Sequence, residues 1–338
     1  MCYVSVVLIC YNYAHLLPRV LGSIAEQTFT DYELILVNNG STDNTAEVFD
    51  QFVKDHPEIS CKIVYIEVNK GPANGDNEGA SKATGEYLMF VDADDWMDPN
   101  CLECLTSKAK ETDADRVIGS YRYVNQNGET IKTMAMEGEG LNKWFYTMQQ
   151  CSLFKRSVYV ENGIRLHDIL FLDAEKTMKF SVVSKSTVFV PTVCYNYYVH
   201  ESTSNNNKMV HNVIEDTGRF TYTGFIDIMK EVFDSTEDSE KASCLMQIVR
   251  LYYSFIMLGT RGAKYRDAKA AYCSINGYFK EKFPDYCKEL DMKLLSGHMG
   301  SRSRKILMRG LVLCERMHIF GLALFGFLTI SKFHYIST

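Results

Sequence analysis

Residues 85–99 read GEYLMFVDADDWMDP: an apolar, β-rich run from Tyr87 to Val91, then three carboxylates, Asp92, Asp94 and Asp95, with no basic residue among them. Such a run has the character of a strand buried on both faces. Clustered acids at its carboxyl end repel one another until a cation neutralises them. That end of a parallel strand is also where open α/β sheets bind ligands. Asp92 and Asp94 share one side of an extended backbone, and oxygen ligands of this kind suit Mg²⁺ or Mn²⁺ shared with substrate phosphates. A solvated acidic turn capping the helix that begins near Pro99 is the other reading of the same residues.

The flanking chain places this strand in a repeating pattern. Val4–Ile9, Tyr32–Val37 and Lys62–Glu67 are strand-like. Helical spacing covers Ala14–Gln27, a segment reaching Lys54 that Ser41, Thr42 or Asp43 can cap, and Asn100–Glu111; Asn69–Gly79 is rich in Gly and Asn, and Ala80–Thr84 continues a helix towards Gly85. Alternating strands and helices predict a parallel, doubly wound sheet. Arg116–Val124 and Thr130–Met134 then form a hairpin about Asn127 and Gly128. Cys151–Phe154 is a short apolar piece, a helical stretch reaches Asn162, and the second half of His167–Phe180 is helical. Ser186–Val193 is a strand ending at Cys194, Ser202–Asn207 is a polar boundary, and from His211 onward only helical periodicity remains. The fold class expected is α/β, with a mixed, mostly parallel sheet and a C-terminal helical extension.

At 338 residues and 46% hydrophobic composition, the chain can bury one large core with an appendage, or two cores. A formal net charge of −6 argues against a nucleic-acid binder. The 11 cysteines are scattered, and Cys10, Cys194 and Cys244 sit inside apolar runs. Cys101 and Cys104 form a C-x-x-C without a second half, read as packing thiols rather than zinc ligands. Free thiols and the lack of a basic stretch before the first strand lead to the expectation of a cytoplasmic protein without a signal peptide.

Five segments in order, VSVVLICYN (4–12), LILVNNGSTDNT (34–45), GEYLMFVDADDWMDP (85–99), FLDAEKTMKF (171–180) and YNYY (195–198), resemble the family 2 glycosyltransferases of the GT-A fold. The resemblance implies a GT-A domain over 1–205, a helical extension over 206–300 and a distinct C-terminal segment over 301–338. It implies inverting, metal-dependent transfer of a hexosyl or N-acetylhexosaminyl group. The donor would be a nucleoside-diphosphate sugar, with UDP the expected nucleotide. The acceptor would be a glycan or lipid-linked hydroxyl, as in surface polysaccharide synthesis, with Mn²⁺ or Mg²⁺ as cofactor.

Carried over residue by residue, the resemblance assigns the nucleotide to Cys10, Tyr11, Asn12, Asn39, Asp76, Asp92 and Ala93. Asn39 stands where the family often has an aspartate accepting the uracil N3–H; its amide oxygen can accept that proton and its NH₂ can donate to a base carbonyl. Asp76 stands where relatives often carry an arginine, and a free acid there would repel a diphosphate. Asp92 would bond the ribose and Asp94 the metal, with His200 a further candidate ligand. Asp95 would support the metal and, with Trp96, face the acceptor. Asp173 would be the general base; Leu172 replaces the acid that usually precedes it, and an apolar neighbour raises a carboxyl pKa by desolvation.

These departures keep open a nucleotide-sugar-binding protein of the same fold that has lost transfer. A nucleotidyltransferase or a Rossmann dehydrogenase is disfavoured, because no glycine-rich loop follows the first strand. In the C-terminal segment, Arg302, Arg304, Lys305, Arg309 and Arg316 precede the apolar run IFGLALFGFLTI (319–330). This pattern reads as attachment to an anionic membrane surface through Ile319, Phe320, Leu322, Leu324, Phe325 and Leu328, too short to span. A helix packed on the protein itself is the alternative.

Overall fold

The structure, a computed structural model, describes residues 2–137, 142–169, 171–200, 221–260, 263–286, 290, 302–317 and 320–331. The polar boundary at 202–207, Ile319, and the side chains of Arg302, Arg304, Lys305, Leu322 and Leu328 lie outside the described residues. The described chain divides into two compact units: one of 1–143, 147–168 and 172–201, the other of 144–146, 169–171 and 202–338.

Aliphatic runs without polar alternation need cover on both faces, and the centre of the first unit supplies it. β1 (Val4–Cys10) lies between β2 (Tyr32–Asn39) and β4 (Tyr87–Asp92), parallel to both, and β3 (Ser60–Ile66) extends the sheet beyond β2. The other strands are β5 (Trp96–Met97), β6 (Arg116–Val124), β7 (Thr130–Met134), β8 (Ser152–Lys155) and β9 (Thr187–Tyr198). The order is β3-β2-β1-β4-β8-β6-β9-β5, with β7 on β6. β8 runs antiparallel to β4 and β6, while β9 runs parallel to β6.

The helices are α1 (Leu17–Ala25), α2 (Thr45–Asp55), α3 (Pro72–Lys82), α4 (Cys101–Thr112), α5 (Arg156–Glu161) and α6 (Leu172–Val183). α3 starts at Pro72, so the helix read at Ala80–Thr84 begins within the Gly- and Asn-rich segment and stops at Lys82. Glycine is a poor helix former, but here close approach outweighs propensity. A Cβ at Gly75 would stand 2.7 Å from Ile9 Cγ2, and one at Gly79 would overlap Val7, so the glycines let α3 lie directly on β1 and β2. β9 also runs further than expected, through Tyr195–Tyr198, because β6 on one side and β5 on the other pair with that end.

The second unit contains α7 (Tyr222–Asp234), α8 (Lys241–Gly259), α9 (Tyr265–Lys282), α10 (Arg302–Arg316) and α11 (Phe320–Ser331). Among the described residues only α8 is long and apolar enough to cross a membrane, and 67% of its apolar window is buried inside the protein. Aromatic contacts knit the unit: Phe225 stacks on Phe255 at 5.0 Å and Tyr252 on Phe279 at 4.0 Å. Two residues assigned above to a lipid-facing side are used here instead. Phe320 stacks on Tyr272 at 4.5 Å and on Tyr253 at 5.4 Å, and both Phe320 and Leu324 are buried. Glu315 of α10, also buried, accepts hydrogen bonds from Tyr272 Oη at 2.5 Å and Asn276 Nδ2 at 3.0 Å and pairs with Lys280 at 2.7 Å.

In the first unit, one buried acid ties three strand and helix ends together. Glu33 on β2 accepts from Ser5 Oγ at 2.6 Å, from the Thr84 N–H at 2.6 Å and hydroxyl at 2.8 Å, and from Lys62 Nζ at 2.7 Å. Burial alone would raise its pKa, but the Lys62, Ser5 and Thr84 bonds outweigh it and hold the carboxyl at about 2. A depressed folded pKa stabilises above the unfolded value and is lost as pH falls through the folded one. Glu33→Gln should therefore cost about 2–3 kcal/mol at neutral pH by this linkage. Urea denaturation should show the gap closing between pH about 4.5 and about 2.

Candidate active site

The carboxyl ends of β1, β2 and β4 lie side by side, with Ile9 opposite Asp92 and Cys10 opposite Asn38. The loops after β1 and β2 are stitched together. Asn12, at φ +57°, accepts the Thr42 N–H at 2.8 Å, the Ser41 hydroxyl accepts the Asn12 N–H at 3.1 Å, and Asp43 accepts the Ala14 N–H at 3.0 Å. Tyr11 stays exposed on this loop. Cys10 is corrected as a side-chain contact for a ligand: its thiol is buried against the Thr45 hydroxyl at 3.5 Å, so only its backbone faces the loop.

Asn39, 2% exposed, donates its Nδ2 to the Gly71 carbonyl at 3.0 Å. The opposite amide orientation would set two oxygens against each other. One N–H is thus engaged, and Oδ1 is left buried without a partner. Of the two base contacts expected of Asn39, the acceptor is the one whose atom has no partner inside the protein.

Along 92–98 the chain alternates: Asp92, Asp94, Trp96 and Asp98 are part-accessible, while Ala93, Asp95 and Met97 are buried. Asp95 is therefore corrected as a residue facing the acceptor, and it can support the metal position only from inside the protein. Its carboxylate points into the protein, where Tyr195 Oη donates to it at 3.0 Å and the Tyr198 N–H at 2.8 Å, pinning the end of β9. Asp94 Oδ2 meets His200 Nε2 at 2.7 Å, and the Asp94 carbonyl accepts from Arg19 at 2.7 Å. The Arg19 guanidinium stacks on Trp96 at 3.9 Å and on Tyr198 at 4.9 Å, so one face of Trp96 is already covered.

Asp92 accepts from Gln149 Nε2 at 3.1 Å and from Gln150 Nε2 at 2.7 Å; Gln150 Nε2 also lies 3.4 Å from Asp173 Oδ2 on α6. One amide thus links a carboxylate of the β4 end to one of α6. Burial raises the pKa of both acids; the Asp173, Asp94 and Asp76 charges add to the rise at Asp92, and Lys176 opposes it at Asp173.

Asp76, on α3, is not the free acid expected. It is 2% exposed and pairs with Lys176 Nζ at 2.7 Å. Lys176, fully buried, also donates to Gln149 and lies 3.6 Å above the Phe90 ring. Gln149, Gln150, Lys176 and Arg19 were missed by sequence reasoning. Lys176 carried a readable signal: three residues after Asp173 on a helix, it shares that residue's face.

Asp94 and His200 offer a carboxylate oxygen and an imidazole nitrogen converging at 2.7 Å, near the roughly 3 Å between adjacent ligands of a small divalent ion with 2.0–2.1 Å bonds. The carboxylate oxygen fits Mg²⁺ or Mn²⁺, and the imidazole nitrogen suits the softer of the two, Mn²⁺.

A mostly parallel sheet whose strand ends carry an acidic cluster with an adjoining carboxylate helix defines the GT-A class. Residues 5–166 match the family described as Glycosyl transferase family 2. Glycosyltransferase GlyG of Streptococcus pneumoniae is 39% identical over 219 residues, covering 57% of this chain and 70% of GlyG. Poly(ribitol-phosphate) beta-N-acetylglucosaminyltransferase TarP of Staphylococcus aureus is 27% identical over 243 residues, covering 69% of this chain and 72% of TarP. The crystal structure of S. aureus TarS 1–349 with UDP superposes with a TM-score of 0.65 at 16% identity, covering 99% of this chain and 93% of that one. The chain belongs to glycosyl transferase family 2 and is a glycosyltransferase with the GT-A fold.

Breaking a buried ion pair leaves an uncompensated charge, which costs about 3–5 kcal/mol. Lys176→Met should destabilise the protein by about that amount, and adding Asp76→Asn should recover most of it. Urea denaturation of the two single variants and the double variant measures the coupling. Additive losses would mean that the two charges do not depend on each other.

Proposed function

We propose that this enzyme transfers a hexosyl or N-acetylhexosaminyl group from UDP, with inversion and with a divalent ion, to a hydroxyl of a surface glycan or lipid-linked saccharide. The observation that carries this reading is the Gln150 amide, which sets Asp92 of the donor side beside Asp173. It is supported by TarS, solved with UDP and with UDP-GlcNAc, and by TarP, whose name gives a sugar-bearing polymer.

Asn39 Oδ1 accepts the uracil N3–H. Asp92 orients the ribose, and the Tyr11–Asn12 loop and Ala93 backbone frame the nucleotide. Asp94 and His200 hold Mg²⁺ or Mn²⁺, which when bound neutralises the charge developing on the diphosphate leaving group. Asp173 takes the proton of the acceptor hydroxyl as that oxygen bonds to the anomeric carbon. The bond from that carbon to the diphosphate oxygen breaks, and UDP departs. Burial brings Asp173 towards neutrality, where a general base works best. The acceptor sugar approaches the uncovered face of Trp96. Contact with an anionic membrane falls on the α10 face of Ile306, Arg309, Leu313, Arg316 and Met317, all exposed and on one side of the helix.

Incubation with UDP-sugars and Mn²⁺ tests transfer directly; donor binding without product would leave the binding-protein reading. Asp173→Asn should keep donor affinity and lower kcat by about 10²–10⁴-fold. Equal loss of donor binding would remove Asp173 from the base role. Asp94→Ala should abolish the Mn²⁺-dependent part of UDP binding in a thermal-shift titration.

The base is tested separately. Cytosine presents an acceptor where uracil presents N3–H, so UDP should raise the melting temperature more than CDP. Asn39→Leu should erase the difference. Equal shifts in the wild type would remove Asn39 from base recognition.

A further inference from the structure

Cys101 at the start of α4, Cys151 just before β8 and Cys194 on β9 are all fully buried, and their Sγ atoms lie within 4.8 Å of one another. Cys151 and Cys194 approach to 3.6 Å. The proposed chemistry uses none of these thiols. The two cysteines stand on either side of β6, whose Gly119 N–H donates to the Cys151 carbonyl at 2.7 Å. A Cβ on Gly119 would stand 2.5 Å from Cys151 Sγ, so the glycine opens the space in which the thiols meet. Cys151 itself holds a left-handed backbone, φ +53°, that few non-glycine residues adopt.

A Cys151–Cys194 disulfide does not fit this arrangement. Strands separated by a third lie roughly 9–10 Å apart, and Cα atoms more than about 7 Å apart cannot be bridged without backbone movement. An ion between the sulfurs needs no such movement. Four thiolates at 2.3 Å from a tetrahedral centre stand about 3.8 Å apart, close to the observed pair. Cys104 shares a face of α4 with Cys101 one turn away, and its thiol bonds the Thr192 side chain on β9, two residues before Cys194.

We propose that Cys101, Cys151 and Cys194 bind a thiophilic d¹⁰ cation, Zn²⁺ or Cu⁺, at a site distinct from the carboxylate–imidazole pair of Asp94 and His200. All-thiolate donors select such soft ions over Mg²⁺ or Mn²⁺. The bound ion braces the floor of the active site. Cys151 adjoins Gln150, which holds Asp92, and Cys194 adjoins Tyr195, which holds Asp95.

The test uses the reduced full-length chain. Co²⁺ or Cd²⁺ added under nitrogen should produce sulfur-to-metal charge-transfer absorption saturating at one ion per chain. Carboxylate and imidazole ligands give no such band, so the signal is independent of the proposed transfer. Displacement of Co²⁺ by Zn²⁺, or retention of Cu⁺ against a copper(I) chelator, distinguishes the two ions, and either supports the site. Cys101→Ser and Cys194→Ser should each lose the band, and the exposed Cys273→Ser should keep it. Absence of the band in the wild type, a reading that needs no variant to fold, overturns the proposal. So does its persistence in both Cys101→Ser and Cys194→Ser.

Discussion

The buried ammonium of Lys176 is the charge on which the acidic face depends. Asp76, Asp92 and Asp173 are each pushed towards the neutral form by burial, and without a cation in their midst they could not all approach one another. Lys176 stands on a helix rather than a loop, so its position relative to Asp173 is fixed by helical geometry. The Phe90 ring beneath it adds a cation–π contact, and Gln149 passes its influence to Asp92. An acid at position 76, which on its own would oppose a diphosphate, is thereby half of an internal ion pair.

The same helix placement joins fold to site. Gly75 and Gly79 bring α3 onto β1 and β2, and that approach carries Asp76 to Lys176 and leaves Asn39 against the turn at Gly71. The strands of this half were legible because unbroken aliphatic runs have one stable solution. Only the end of α3 was, since glycines that weaken a helix in isolation are here what lets its earlier turns dock. Position 95 was misread for a different reason. Three acids within four residues look alike in sequence, yet the period of two along 92–98 buries every second side chain, and only the pairing of β5 with β9 reveals that this period holds past the strand.

The C-terminal helices show where pattern reaches its limit. A helix with an apolar face looks the same in sequence whether lipid or protein covers that face. Phe320 and Leu324 are covered by protein, with Tyr253 and Tyr272 supplied from helices far earlier in the chain. Glu315, the one acid among the basic residues of α10, was the local sign of this outcome. A buried carboxylate needs donors, and Tyr272, Asn276 and Lys280 of α9 provide them.

Asp94 and His200, 106 residues apart, meet because β9 continues to Tyr198 and is pinned there by Asp95. Asp95 thus acts on the site through the backbone: its buried carboxylate holds the Tyr198 N–H, and two residues later His200 arrives at Asp94. Gln150 acts in the same indirect way from the other side, held between Asp92 and Asp173 while the next residue enters the thiol cluster. Asp92 and His200, proposed to serve the donor, are thus each aimed by a buried neighbour, Gln150 or Asp95, that stays inside the protein. Sequence motifs mark the first group because they fall together at strand ends. The second group is scattered over α3, α6, β9 and the segment before β8, and only the folded sheet brings it together.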